Sequence, residues 1–207
     1  MAWDCATGNG QAARSLVPHF AQVVATDASE QQIESADRSG DIEYRVARAE
    51  DSGLPDNSID LITVAQALHW FDIDAFLAEA DRVLKPGGVL AFWCYQNCTV
   101  DDDVDPVVLD IFAEVEDYWP PERQIVEEEY PTIALPFEDV DIGEFCIVAD
   151  WRAEQLLDYM RTWSAAQRFM AANGQDPVAR HADALGAAWG DRTRQVRWPI
   201  VLRVGVK

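Results

Sequence analysis

Short apolar runs alternate with amphipathic stretches through the first half of the chain, and their lengths predict strands and helices in turn. A strand around Trp3-Asp4-Cys5 leads through a glycine turn to a helix over about Gln11–Val17, stopped near Pro18, and Gln22–Thr26 reads as a second strand. Ser29, with Gln32 three residues on, is the expected N-cap of a helix running to about Arg38 and ended by Gly40. Ile42–Val46 and Ser58–Val64 follow as strands, the second with the continuous β-branched run of a strand covered on both faces. After an exit loop over Gln66–Trp70, a helix over Ala75–Leu84 ends at Pro86-Gly87-Gly88, and Val89–Tyr95 is the fifth strand. Strands that alternate with helices predict an α/β, doubly wound, mostly parallel sheet.

Beyond Asn97 the rhythm changes. Asp101-Asp102-Asp103 reads as a solvated loop, Pro106–Asp117 as a helix, and Trp119–Pro136 as a proline-punctuated loop. A strand at Phe145–Trp151, one long helix over Ala153–Ala172, another over Pro177–Trp189 and a last strand over Val196–Val206 complete the reading. The expected organisation is one domain over residues 1–207. Its cofactor-binding half is 1–97, and 98–207 is an acceptor-side part with a helical and loop insertion before the last two strands. The first strand has almost no lead-in after Met1, which leads to the expectation of a further N-terminal segment.

Composition narrows the function classes. With 207 residues and 49% hydrophobic content the chain can bury a substantial core. A net charge of −21, from 37 acidic and 16 basic residues, argues against a polyanionic partner such as nucleic acid. Only Lys85 and Lys207 are lysines, which fits a high-salt adaptation as well as it fits ordinary acidic bias. No apolar run is long enough for a membrane span and no signal sequence precedes the first strand, so a cytoplasmic protein without a membrane partner is expected, as monomer or homodimer. Cys5, Cys94, Cys98 and Cys146 form no metal-binding spacing and read as small buried hydrophobes.

The candidate chemistry starts at Asp4-Cys5-Ala6-Thr7-Gly8-Asn9-Gly10. Gly8 and Gly10 let the backbone turn tightly beside a ligand, the following helix offers amide N–H groups to an anion, and Asp27 stands where a carboxylate can hold two ribose hydroxyls. Gly8-x-Gly10-x-x-Ala13 also fits a relaxed dinucleotide fingerprint. Asp4 favours a cation over a pyrophosphate, and so favours S-adenosylmethionine, with its sulfonium and ammonium, over a nicotinamide or flavin dinucleotide.

Five blocks together resemble the class I S-adenosylmethionine-dependent methyltransferases, and within them the group similar to trans-aconitate methyltransferases. They are Trp3–Ala13, Val24–Asp27, Ala49–Asp51 with Leu54-Pro55 and Ser58–Asp60, Ala65–Phe71, and Arg82–Gly88; Leu156–Ala165 matches that group as well. The resemblance implies a seven-stranded sheet with one antiparallel strand near the C-terminus, to which Val196–Val206 contributes. It implies that Asp4 and the turn Ala6, Thr7, Gly8, Asn9 and Gly10 surround the methionine moiety. Asp27 would then hold the ribose, Ala28 lie beside the adenine, Ala49 and Glu50 near its amine, and Ala65 and Gln66 under the sulfonium. Arg48 departs from the Asp that many relatives carry there, and such relatives have a helical N-terminal cover.

Methyl transfer is an in-line displacement, so the protein chiefly supplies position and excludes water. His69 is the base candidate, with a loop or lining role as its alternative. Trp70, Tyr95, Tyr118, Trp119 and Trp163 either wall an acceptor pocket or are plain core. Arg161, and with less support Arg123 or Arg168, either clamps a carboxylate or satisfies neighbouring acids. The expected function is methyl transfer from S-adenosylmethionine to a small molecule, with a carboxylate oxygen of an organic acid as candidate acceptor and no metal. A non-catalytic binder of S-adenosylmethionine or S-adenosylhomocysteine is the alternative.

Overall fold

The computed structural model describes residues 1–38, 40–121, 130 and 133–207. The chain divides into two units: residues 1–94, 125–145 and 200–207 make the first, and 95–124 with 146–199 the second. The chain leaves the first unit after Cys94 and returns to it twice.

The first unit is built on β1 (Ala2–Cys5), whose four residues are all buried. It is parallel to β2 (Val23–Asp27) on one side and to β4 (Ile59–Ala65) on the other, with Asp4 level with Ala25 and with Thr63. β3 (Ile42–Val46) is parallel to β2 and β5 (Leu84–Tyr95) to β4. The strand order is β3-β2-β1-β4-β5-β8-β6, with β7 (Phe145–Trp151) also paired to β8 (Arg194–Val206), eight strands among the described residues. β6 (Glu138–Asp139), the strand beyond the expected seven, has two residues and runs antiparallel to β8. Order reverses at β1, and there the carboxyl ends of adjacent parallel strands leave a crevice for a ligand.

Local chemistry sets the helices between these strands. α1 (Gln11–Leu16) follows the glycine turn. In α2 (Glu30–Ser35) the Ser29 side chain accepts from the Gln32 amide at 3.4 Å, and in α3 (Ile73–Val83) Asp72 does the same for Ala75 at 3.2 Å. The helix expected to reach Arg38 ends at Ser35, because Arg38 folds back to donate to the Ile33 carbonyl at 3.0 Å and lies over the Tyr44 ring. Pro86-Gly87-Gly88, expected to end the helix ahead of the fifth strand, lies inside that strand. Register with β4 shifts between Ile59–Leu84 and Leu61–Val89, so residues 85–88 bulge within β5, and a Cβ on Gly88 would lie 2.9 Å from the Lys85 carbonyl oxygen. Trp3, Ile59, Ile62, Phe76, Leu84, Leu90 and Phe92 form the core between sheet and α3.

The second unit packs α4 (Asp105–Glu114), α5 (Ala153–Arg161), α6 (Ser164–Asn173) and α7 (Ala182–Trp189) around Ile111, Leu156, Met160, Trp163 and Trp189. The long helix expected over Ala153–Ala172 is two helices. The Thr162 hydroxyl donates to the Tyr159 carbonyl at 2.6 Å, and Trp163 takes an extended backbone (φ −57°, ψ 135°) that turns its indole into the core. The helix expected from Pro177 begins as a 3-10 turn, Ala179–His181, before α7. The acidic run is only partly solvated, since Asp101 accepts from the Val104 amide and pairs with the buried Arg194 guanidinium. Burial opposes ionisation of Asp101, but those bonds outweigh it and hold its carboxyl below the usual range. Cys5, Cys94 and Cys98 are buried as expected, while Cys146 on β7 is exposed. Much of the proline-punctuated loop, and Arg123 with it, lies outside the described residues.

Candidate functional site

The turn after β1 is shaped by backbone. Ala6 has φ +53° and Gly8 +56°, and Gly10, at +89°, caps α1 so closely that a Cβ there would lie 2.1 Å from the Tyr44 hydroxyl. Asp27, at the end of β2, ties the turn down: its Oδ2 accepts the Gly8 amide at 2.9 Å and its Oδ1 the Ser29 amide at 2.8 Å. The turn closes a cavity of about 910 Å³ in the first unit, a size ordinary for a small-molecule site. Its wall draws on four loops: Ala6, Thr7, Gly8, Asn9 and Gln11; Asp27, Ala28, Ser29 and Gln32; Ala47–Glu50; and Ala65–Ala67 with Trp70 and Phe71.

Of the residues assigned from sequence to the donor, Asp4 and Gly10 are not in that wall. Asp4 lies behind the turn, fully buried, and accepts the hydroxyls of Thr7 at 2.5 Å and Thr63 at 2.6 Å. Burial raises its carboxyl above the usual range against the pull of those bonds. Asp4 therefore braces the turn rather than opening onto the cavity. Ala6, Thr7, Gly8, Asn9, Asp27, Ala28, Ala49, Glu50, Ala65 and Gln66 do meet there. Glu50 accepts the Asp72 amide at 3.0 Å and the Arg48 guanidinium at 3.3 Å; burial pushes its carboxyl up, yet those bonds leave it lowered. Gln66, like Ala6, holds a left-handed backbone without being glycine, at φ +55°. Such a residue costs about 1–2 kcal/mol, and strain of this kind persists where function demands the geometry.

Of the acceptor candidates, Trp70 lies on the cavity wall and is 59% exposed. Tyr95, Tyr118, Trp119, Trp163 and Arg161 belong to the second unit. There Tyr118 stacks edge-on to Phe169, and Trp119 packs between Phe112 and Trp163, the core alternative for these rings. Arg161 donates to Asp176 at 2.7 Å and Asp158 at 2.8 Å, so the reading in which it satisfies neighbouring acids describes its place, and Arg168 is exposed on α6. His69, on the 3-10 turn Leu68–Trp70, is outside the cavity wall with its Nδ1 3.5 Å from the Tyr130 hydroxyl. Sequence reasoning missed Tyr130, Gln32 as a wall residue and Tyr44 as the reason Gly10 must lack a side chain. Only the third has a sequence signal, since Tyr44 lies on β3, the strand next to the Asp27 strand. Among the described residues no cluster of His, Cys, Asp and Glu could hold a metal, and no helix is long and apolar enough to cross a membrane.

Residues 3–92 match the family model described as a methyltransferase domain. A Dictyostelium discoideum protein named "Putative methyltransferase" is 33% identical over 193 residues, covering 91% of this chain and 73% of that one. The chain belongs to the class I S-adenosylmethionine-dependent methyltransferases. A solved structure described as "a Putative Type II Methyltransferase from Anaeromyxobacter dehalogenans" superposes on this methyltransferase with a TM-score of 0.92 at 43% identity, over 99% of this chain and 88% of that one. The yeast Saccharomyces cerevisiae has a "Probable S-adenosylmethionine-dependent methyltransferase" that is 27% identical over 100 residues, 44% of this chain and 34% of that protein. The methyl donor of this methyltransferase is S-adenosylmethionine, and the dinucleotide alternative falls away.

Proposed function

We propose that this methyltransferase holds S-adenosylmethionine in the 910 Å³ cavity and passes its methyl group to a small molecule, with a carboxylate oxygen as the acceptor atom. The observation that carries the donor assignment is Asp27. A carboxylate offers about four acceptor positions, and two here are used by the Gly8 and Ser29 amides, which fix its orientation. The remainder, on a side chain in the cavity wall, match the two ribose hydroxyls. Ala28 and Ser29 on one side and Ala49 with Glu50 on the other would flank the adenine. The methionine end would reach Thr7–Asn9 and Gln11, where the first turn of α1 has no side-chain cap and can receive a carboxylate. Ala65 and Gln66 would lie beneath the sulfonium, Gln66 held by its backbone N–H, which donates to the Trp93 carbonyl at 2.8 Å.

S-adenosylmethionine supplies an activated methyl group; the chain's own residues position it and keep water out. Among the described residues, the ionisable side chains in the wall are Asp27, Arg48 and Glu50, with no imidazole, thiol or amine to act as base. That supports an acceptor already ionised at neutral pH, as a carboxylate is. The net charge of −21 weighs against a nucleic acid in this role. Incubation with tritiated-methyl donor and a panel of carboxylic acids, phenols and amines tests the reading. Transfer to acids, with label released by mild alkali as from a methyl ester, is expected. Transfer confined to phenols or amines, or donor binding with no transfer to any panel member, contradicts it. His69→Ala is expected to keep its turnover from acid to mildly alkaline pH.

A further inference from the structure

The sulfonium of the donor is a positive charge taken out of water, and such a charge is costly unless the protein matches it. Asp4, the carboxylate that the sequence sets against that charge, is buried outside the cavity wall and accepts the Thr7 and Thr63 hydroxyls. Among the described residues the two acids that do line the cavity are committed as well. Asp27 accepts the Gly8 and Ser29 amides with its two oxygens, and in the reading above its remaining capacity goes to the ribose. Glu50 accepts the Asp72 amide with Oε1 and the Arg48 guanidinium with Oε2. A sulfonium also carries no N–H to donate, so a partner for it need not be a hydrogen-bond acceptor at all.

An aromatic face is such a partner, Trp more than Tyr or Phe, and it suits cations that present methyl groups in place of N–H. Among the described residues two aromatic rings line the cavity, Trp70 and Phe71. Phe71 turns onto Phe76 of α3, with ring centroids 5.0 Å apart, and packs against the core. Trp70 does not: at 59% it is the most exposed of the chain's eight tryptophans. Its backbone is nevertheless fixed. Buried Leu68 anchors the turn, the Trp70 amide donates to the Ala67 carbonyl at 3.0 Å, and the Phe71 amide donates to the Leu68 carbonyl at 3.1 Å. Two residues beyond Trp70, the Asp72 amide ties the segment to Glu50 at 3.0 Å. Trp70 therefore shows water an indole held on a set backbone, in the same wall as Ala65 and Gln66. Packing gives no reason for a Trp there, whereas a ligand that covers the ring does.

We infer that the Trp70 indole face holds the sulfonium charge of S-adenosylmethionine, and so favours the charged donor over the neutral thioether left after transfer. The inference rests on the donor-site reading above and deepens it. The test is calorimetric titration of the parent chain, Trp70→Leu and Trp70→Phe with S-adenosylmethionine and with S-adenosylhomocysteine. The two ligands share the adenosine and amino-acid ends, so the difference between them isolates the methylated, charged sulfur. Trp70→Leu keeps apolar bulk at an exposed position and removes the ring. It is expected to weaken S-adenosylmethionine about fivefold and S-adenosylhomocysteine less than twofold, with Trp70→Phe between parent and Trp70→Leu. Growth on 5-fluorotryptophan supplies a second measurement that needs no substitution, since fluorine weakens the ring's attraction for a cation and hardly alters its size. The labelled parent should lose affinity for S-adenosylmethionine relative to S-adenosylhomocysteine, and labelled Trp70→Leu should show no such change. Equal weakening of both ligands in Trp70→Leu, unchanged S-adenosylmethionine affinity there, or a labelled parent with an unaltered ratio would overturn the inference. In each of these cases S-adenosylhomocysteine binding by the parent leaves the donor site standing, whereas a parent that binds neither ligand overturns both readings.

Discussion

The two units hold their side chains in place by different means. In the first, the cavity wall is set by main chain: a left-handed turn at Ala6, Gly8 and Gly10, amides locked on Asp27, and a carboxylate, Asp4, bracing the turn from behind. In the second, rings pack on rings and arginines on acids, and the backbone bends where a side chain demands it, as at Thr162-Trp163. The first arrangement should fail sharply at single positions where no atom can be added. The second should tolerate the loss of any one contact.

The largest expected effect is therefore at Gly10. In Gly10→Ala the new methyl would lie 2.1 Å from the Tyr44 hydroxyl on a backbone at φ +89°. Affinity for S-adenosylhomocysteine should fall by about 100-fold or the fold be lost, since strain and overlap together cost several kcal/mol. Gly10→Ala with Tyr44→Phe, followed by circular dichroism and calorimetry, should recover part of the loss. Equal binding by Gly10→Ala and the parent would break the contrast.

Next comes Glu79, the buried carboxylate of α3. It accepts the Ser52 amide at 2.9 Å and hydroxyl at 2.5 Å, and two Arg82 donors at 2.8 Å. Burial opposes its charge, yet these bonds lower its pKa from 4.5 to about 2. A lowered folded-state value means that the stabilisation is complete above 4.5 and is lost as pH falls from there towards 2. Glu79→Gln should cost on the order of 2 kcal/mol at neutral pH and flatten the acid limb of urea-unfolding stability. An unchanged acid limb would show that the carboxylate is not held in this way.

The smallest effect is expected in the second unit. Arg161→Ala removes two ion pairs that are about one-third exposed on the arginine side, and should cost roughly 1 kcal/mol in thermal unfolding. Its acceptor KM should stay within about twofold, because the guanidinium is already committed to acids. A tenfold rise would restore the arginine clamp and put a charged substrate contact in the unit described as tolerant.

How far the sequence could be read follows the same division. The β/α alternation, Ser29 as a cap and the glycine turn after β1 were all legible, because glycine spacing and a cap residue constrain backbone directly, while the bond from the Gly8 amide to Asp27 was not read from the sequence. Asp4 was placed on the right element, but a sequence cannot show that Thr63, level with it on the next strand, and Thr7 hold its carboxylate outside the cavity wall. The break between α5 and α6 was illegible because Ala153–Ala172 has unbroken helical spacing, and only the core vacancy for Trp163 explains the interruption. Pro86-Gly87-Gly88 looked like a stop signal and is a bulge, as Gly88 is required by its closeness to the Lys85 and Ile59 carbonyls.

The central claim, that backbone geometry around Asp27 makes the donor site, is tested most directly by calorimetric titration of S-adenosylhomocysteine into the parent chain and into Asp27→Ala. One-to-one binding by the parent, weakened at least about tenfold in the variant as the ribose contacts and the anchored turn are lost, is the result expected. Equal affinity in the two, with the variant folded, would contradict it.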